Sequence, residues 1–271
     1  MSKDSFDYRK ERYAMISNIQ KQLITKKLGR SCFCYSFLDS TSTHIKRSWK
    51  YLADGHTVIA DEQHSGRGRS GKTFYSPKGD GLYFSVLLKD KKYLNDPLFT
   101  VKMSYVLCKA IDKLTETEEV KIKWVNDIYA DSKKIAGILC EALNEDGQRG
   151  IIAGFGINFV LNKGEVPSEL KGKIGSLRDV VKKDLNKSEL CAYILNGIEE
   201  IYESSENTEN FLSVYRKRSV VLGKEINVLK KGEFIRAAAL DISHDGGLLV
   251  RYENGVTEKL TAGEISISFE G

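Results

Sequence analysis

The stretch that most restricts what this chain can fold into is Ser65-Gly66-Arg67-Gly68-Arg69-Ser70-Gly71-Lys72-Thr73, because its downstream neighbours rule out a helix. The run fits two phosphate-binding patterns at once: Gly66-x-Gly68-x-x-Gly71 of dinucleotide folds, and Gly66-x4-Gly71-Lys72-Thr73 of phosphate loops. Both mechanisms need a helix starting at the end of the loop, so that its free N–H groups face the phosphates. Here Pro77, Gly79 and Gly81 come instead, and then the apolar and aromatic Leu82-Tyr83-Phe84-Ser85-Val86-Leu87-Leu88. That segment reads as a strand. The loop therefore joins a strand at Gly55 to Ala60 to one at Gly81 to Lys89, and both helix-based patterns lose their support. What remains is a cationic, flexible loop without an acid in it. It reads as a solvated surface loop, since Arg and Lys are usually exposed, or as an anion site. Glycine frees the backbone and arginine brings a forked donor suited to carboxylate and phosphate.

Composition narrows the class. The 271 residues suffice for one large domain and a small one, and a hydrophobic content of 41% is ordinary for a globular chain. A net charge of +5, from 42 basic and 37 acidic residues, hints at anionic ligands without requiring nucleic acid. Five cysteines occur, and only Cys32-x-Cys34 are close. With no second pair and no nearby histidine they lack a zinc-site pattern, and they read as reduced thiols of a cytoplasmic protein. The first ten residues have no apolar core and no long apolar run occurs, which disfavours secretion and membrane spanning. The four histidines, His44, His56, His64 and His244, form no catalytic or metal cluster pattern.

Taken in order, Tyr8 to Lys27 repeats Tyr13, Ile16, Ile19 and Leu23 at helical spacing. One helix is too little for a DNA-binding helix-turn-helix. Cys32 to Leu38 reads as a strand. Asp39-Ser40-Thr41-Ser42-Thr43 then caps a helix with Ile45, Trp49 and Leu52 on one stripe, its hydroxyls serving as caps or as a polar ligand site. Asp96-Pro97 reads as the start of the next helix, with core face Val101, Tyr105, Cys108 and Ile111. Val120 to Tyr129 reads as one alternating strand with Lys121, Lys123 and Val125 on a face. Ile135 to Glu141 and Gly150 to Val160 complete a three-stranded antiparallel meander. Lys123 and Lys134 sit beside apolar strands, either as solvated strand ends or as ligand cations, and Asn126-Asp127 fits a turn. Gly154 and Gly156 inside a strand suggest a ligand's close approach. Asn162 to Lys173 is polar and mobile in character. Ser188 to Tyr202 and Thr208 to Arg218 read as helices. From Leu222 onward five short strands, punctuated by Lys231-Gly232, Asp245-Gly246-Gly247 and Asn254-Gly255, signal a small β-barrel that must pack on the main domain.

Together these segments resemble the biotin protein ligase family, from about Cys32 to the C-terminus. The resemblance rests on Asp39-Ser40-Thr41-Ser42, on Gln63-His64-Ser65-Gly66-Arg67-Gly68-Arg69-Ser70-Gly71-Lys72, on Lys123-Trp124-Val125-Asn126-Asp127, on Lys134-Ile135-Ala136-Gly137-Ile138-Leu139, on Gly154-Phe155-Gly156-Ile157-Asn158, and on the closing barrel. It implies an α+β fold with a mixed sheet and flanking helices, like that of class II aminoacyl-tRNA synthetases, followed by an SH3-like barrel. The expected division is a helical extension at 1–30, a catalytic domain at 31–220 and the barrel at 221–271. The implied reaction joins biotin to ATP as biotinyl-5′-AMP, and a lysine of a biotin carboxyl carrier domain then takes the biotin. Lipoate or octanoyl ligases share the catalytic fold, and a non-catalytic biotin or nucleotide sensor is the rival from another class.

The resemblance also implies roles. Arg69, Lys134, Lys123 and Asp127 would carry the chemistry, with Asp127 orienting or deprotonating the incoming lysine. Ser40, Thr41, Ser42, Gln63, Gly66, Arg67, Gly68, Arg69, Lys134, Gly137 and Gly156 would bind biotin. Arg67, Arg69, Lys72, Phe74, Lys123, Asn126, Lys134 and Asn158 would face ATP or the adenylate, with Mg²⁺ implied by ATP chemistry and no protein-built metal site. Phe74 stands where the family often has Trp, Lys72 where Arg is usual, and Val125 where Pro is usual. The absence of a DNA-binding module before Cys32 reads as a ligase that is not a repressor. An exposed sheet edge would allow a homodimer. The glycine loop is expected to be poorly ordered when empty and to close over the adenylate.

Overall fold

The computed structural model describes residues 3–162, 164–203 and 208–267, with side chains from residue 9 onward. The expected extension and barrel reach beyond these at 1–2 and 268–271, and the polar stretch after Asn162 includes position 163, which lies outside them too. Strands β1 (Cys32–Tyr35), β2 (Thr57–Ala60), β3 (Gly81–Leu88), β4 (Lys121–Lys123), β5 (Asp127–Ala130), β6 (Lys133–Glu145) and β7 (Gln148–Asn158) form one sheet. Its order is β1-β2-β3-β7-β6-β5-β4, with β1 and β2 parallel and the other neighbours antiparallel.

Strand alternation splits the chemistry between the two faces of this sheet. On β3, Leu82, Phe84, Val86 and Leu88 join the main core, together with Ala153, Phe155 and Ile157 of β7. That face is covered by α1 (Lys3–Gln22), α4 (Phe99–Thr115), α6 (Lys187–Glu203) and α7 (Thr208–Arg218). The opposite face carries α2 (Thr41–Lys46), whose Ile45 packs with Trp49, Val58, Leu87, Leu143 and Ile152 in a smaller cluster. Two short helices, α3 (Lys91–Leu94) and α5 (Leu177–Val180), complete the set.

Four sequence readings change. Val120 to Tyr129 is not one strand but the hairpin of β4 and β5, with Lys123 opposite Asp127. Its turn is held from outside: the Trp124 indole N–H donates to the Gly246 carbonyl at 2.9 Å, and Asn126 exchanges hydrogen bonds with Ile138. The meander thus has four strands. The helix after Asp39 stops at Lys46, with a 3₁₀ turn at Trp49–Tyr51, and Ser40 makes no side-chain capping bond. The helix after Asp96-Pro97 starts only at Phe99, because the Asp96 carboxylate accepts the Leu98 N–H at 2.9 Å and holds a turn instead. The N-terminal helix ends at Gln22 and not Lys27. The Glu199 carboxylate takes the N–H groups of Lys26, Lys27 and Leu28, which pulls the chain off the helical path.

The C-terminal region is a five-stranded antiparallel sheet of β8 (Glu225–Lys230), β9 (Glu233–Ile242), β10 (Leu248–Tyr252), β11 (Thr257–Leu260) and β12 (Ile265–Ser266), in the order β11-β10-β9-β8-β12. Its buried Ile226, Val228, Ala237, Leu248 and Val250 belong to the same core cluster as the large sheet. A sheet too small for an independent core borrows one from its neighbour.

Candidate active site

On the α2 face, a cleft enclosing about 1000 Å³, its open mouth included, lies between α2, the centre of the large sheet and the glycine loop. The loop joins β2 to β3, as read from sequence, and is folded as a hairpin. Arg67 pairs with Thr73, and the Gly68 N–H donates to the Lys72 carbonyl at 2.7 Å. Ser70 and Gly71 at its tip both have positive φ, 54° and 75°. The mouth is closed on one side by the C-terminal sheet, through Gly263, Glu264 and Ile265.

The inner end is made of neutral hydroxyls. Thr41 Oγ1 and Ser42 Oγ lie 2.7 and 3.1 Å from Ser85 Oγ, and Gln63 Oε1 accepts from the Thr41 N–H at 2.9 Å. Gln63 Nε2 donates in turn to Ser76 Oγ at 2.9 Å. Thr41, Ser42 and Ser85 are all buried. These hydroxyls are therefore a preformed polar pocket and not the helix cap they also resemble. Gly154 makes room for them: a Cβ there would lie 3.0 Å from Ser42 Oγ.

Cations gather toward the mouth. Lys134 Nζ pairs with Asp127 Oδ1 at 2.7 Å and lies 5.9 Å from the centre of the Phe74 ring. Its stem passes over Gly137, where a Cβ would lie 3.1 Å from Lys134 Cε. Arg69 donates to Asn126 Oδ1 at 3.0 Å and to the Gly263 carbonyl at 2.9 Å, and Lys72 pairs with Glu264. Lys123 carries a pKa below the usual lysine value, chiefly through burial; Asp127 pulls it up again, and Lys134 and Lys72 push it down. A cluster of cations that repel one another is primed to accept an anion.

Of the residues proposed from sequence, Ser40, Thr41, Ser42, Gln63, Arg67, Gly68, Arg69, Lys72, Phe74, Lys123, Asn126, Asp127, Lys134, Gly137 and Gly156 line the cleft. Gly66 and Asn158 do not. Gly66 packs beneath the Phe74 carbonyl, and Asn158 is buried with its amide donating to the Gly175 carbonyl at 2.9 Å. The close approach expected at Gly156 is made by Phe74, whose ring would lie 2.6 Å from an added Cβ. Sequence reasoning missed Ser85, Trp124 and Glu264, which also line it. Ser85 had a readable signal, a lone hydroxyl in the middle of an apolar strand. Glu264 had none, since its place at the mouth depends on how the second sheet docks. All five cysteines are free thiols, with burial pushing Cys34 up to about 11 and Cys32, Cys108 and Cys140 to about 12.

Residues 34–158 match the Biotin/lipoate A/B protein ligase family, and residues 221–268 match the biotin protein ligase C terminal domain. The structure is similar to that of a biotin protein ligase from Aquifex aeolicus in complex with biotin and ATP. That likeness has a TM-score of 0.75 and 30% identity, covering 88% of this chain and 98% of the other. The chain belongs to the biotin protein ligase family. Among curated relatives, the bifunctional ligase/repressor BirA of Bacillus subtilis (strain 168) is 27% identical, over 93% of this ligase and 78% of its own length. The biotin--[acetyl-CoA-carboxylase] ligase of Mycobacterium tuberculosis is 26% identical, over 78% and 79% respectively. This ligase is thus an enzyme, and its cleft is read as one. No helix among the described residues is long and apolar enough to cross a membrane.

Proposed function

We propose that this ligase activates biotin with ATP and transfers it to a lysine of a biotin carboxyl carrier domain of a biotin-dependent carboxylase. A biotin carboxylate oxygen attacks the α-phosphorus of ATP, the bond to the β-phosphate oxygen breaks, and pyrophosphate leaves. The acceptor amine then attacks the carbonyl carbon of biotinyl-5′-AMP. AMP departs with the electrons of the carbon–oxygen bond, and the amine loses a proton. No enzyme nucleophile takes part, so catalysis is positioning and charge stabilisation.

The observation that carries this reading is the meeting of a neutral hydroxyl pocket and a cation cluster that includes Lys134 in one cleft. Thr41, Ser42, Ser85 and Gln63 suit the ureido head of biotin, which needs both donors and acceptors. Arg69, Lys72, Lys123 and Lys134 offset the repulsion between a carboxylate and a triphosphate. Each charge-assisted hydrogen bond contributes on the order of 1.5 to 3 kcal/mol. Among the described residues there is no cluster of three metal-ligating side chains, and the cleft carboxylates Asp127 and Glu264 each hold a lysine. Mg²⁺ is read as entering with the nucleotide substrate, as ATP chemistry implies.

Asp127 holds Lys134 within the cleft, and we assign it to orienting or deprotonating the acceptor amine. Asp127→Asn should therefore slow transfer from preformed biotinyl-AMP, and transfer at the wild-type rate would remove it from this step. The whole reading is tested by biotin-dependent exchange of labelled pyrophosphate into ATP. Exchange with lipoate in place of biotin would select the lipoate reading, and no exchange at all would select the sensor. We also read the ligase as cytoplasmic and as acting without DNA, and a gel shift with operator-like sequences is the check on the latter. Sedimentation with and without biotin plus ATP tests a homodimer.

A further inference from the structure

Two carboxylates line the cleft, and a third, reached from it through the glycine loop, is unlike them. Asp127 and Glu264 each meet a lysine within the cation cluster. Glu141 lies farther along β6, on the face shared with Gly137 and Leu139, and its partner is Arg67 of the glycine loop. Arg67 Nη1 lies 2.9 Å from Glu141 Oε1 as an ion pair, and Lys46 Nζ is 3.9 Å from the same oxygen. The Glu141 side chain is only 15% exposed, while that of Arg67 is 43% exposed. Glu141 Oε2 is fully buried and has no hydrogen-bond partner among the described residues.

A carboxylate so placed cannot release its guanidinium cheaply. If Arg67 swung away to a substrate anion, Glu141 would keep only the distant, half-exposed Lys46, and breaking a buried ion pair from one side is strongly unfavourable. The orphan Oε2 points the same way. A guanidinium fork matches both oxygens of a carboxylate, as Arg218 does on Asp112 at 3.0 and 2.6 Å. Arg67 meets Oε1 of Glu141 alone, which leaves Oε2 for the second arm of such a fork. A loop that completed the fork would tighten this contact and not dissolve it.

We propose that Glu141 is a positioning residue that latches the glycine loop through Arg67. On the biotin-activating reading above, on which this inference rests, Arg67 walls in the bound biotin with its backbone and stem. Its charge is held by Glu141, and the offsetting of substrate anions falls to Arg69, Lys72, Lys123 and Lys134. This narrows the sequence-based role of Arg67, which placed it against both biotin and the adenylate.

The test is a double-mutant cycle read by the rate at which biotinyl-AMP leaves preloaded full-length enzyme. Glu141→Gln and Arg67→Ala should each speed release about tenfold, about 1.4 kcal/mol, and the double variant should be no faster than either. Arg67→Lys should not restore retention, because an ammonium cannot fork. Glu141→Gln should raise the KM for biotin about tenfold while moving that for ATP less than about twofold, a split that general loosening of the fold would not produce. Additive effects in the cycle, wild-type retention by Glu141→Gln, or rescue by Arg67→Lys would each overturn the latch. Should Glu141→Gln fail to fold, the comparison of Arg67→Ala with Arg67→Lys still decides it. If wild-type enzyme shows no biotin-dependent exchange, the functional reading falls; if exchange is normal and release unaltered, the latch alone falls.

Discussion

At the inner end of the cleft, Thr41, Ser42 and Ser85 hydrogen-bond to one another as buried neutral groups, whereas at its mouth Lys134, Lys72 and Arg67 are each paired with a carboxylate and stay partly open to solvent. The inner hydroxyls are fixed by short bonds that neither salt nor pH near neutrality disturbs. Lys134 and Lys72 are held by charges that a stronger anion can displace, in a setting where screening matters, whereas Arg67 stays on the more deeply buried Glu141. The contrast assigns recognition to one end and rate to the other. On the proposed function, a substrate head is selected where the polar groups are preformed, and two anions are brought together where the protein already holds opposing charge.

The contrast breaks first at Lys134. Lys134→Ala removes a cation that contacts both Asp127 and the space before Phe74, and pyrophosphate exchange should fall about a hundredfold. The wild-type kcat/KM for ATP should also fall with added salt, and the variant's should fall less steeply. A loss under about threefold would mean that the mouth does not work by charge.

A smaller effect is expected at the inner end. Ser85→Ala removes the hydroxyl that joins Thr41 to Ser42, and biotin affinity measured by calorimetry should drop about tenfold. The loss should be the same at low and high salt. If it shrank with salt, recognition and charge would not be separable between the two ends.

How much of this was legible in the chain depends on the range of the interactions involved. The strand-to-strand nature of the glycine loop was readable because Pro77, Gly79 and Gly81 forbid a helix locally. The five C-terminal strands were readable because glycine turns separate them. The turn at Trp124-Val125-Asn126 was legible only as the turn signal of Asn126-Asp127, since the flanking residues alternate like one strand and its holding partners, Gly246 and Ile138, are remote in sequence or on another strand. Within the site, motif-borne residues were found. Ser85 was missed because a single buried serine looks like strand composition, and Asn158 lies outside the cleft lining, with its amide engaged by Gly175. Glu141 carried no signal, because its value lies in Arg67 being folded back onto it.

The smallest expected effect is a displaced pH limb, and it tests whether the mouth is charged before substrate arrives. Burial lowers the pKa of Lys123 from the ordinary lysine value of 10.5, Asp127 partly restores it, and Lys134 and Lys72 lower it further. Between that folded value and 10.5 the unfolded chain binds more protons, so this residue's contribution to stability rises with pH. Activity must run the other way, because the phosphate-binding charge is present at lower pH and is lost as pH climbs through the folded pKa. The kcat/KM for ATP, which reports the free enzyme, should then show an alkaline limb below 10.5. At saturating ATP the bound phosphates favour the charged lysine, so the limb in kcat should lie at higher pH. Lys123→Arg keeps its charge throughout and should flatten the limb in kcat/KM. Coincident limbs in wild type and variant would assign the titration to another group and leave Lys123 fully charged in the empty cleft.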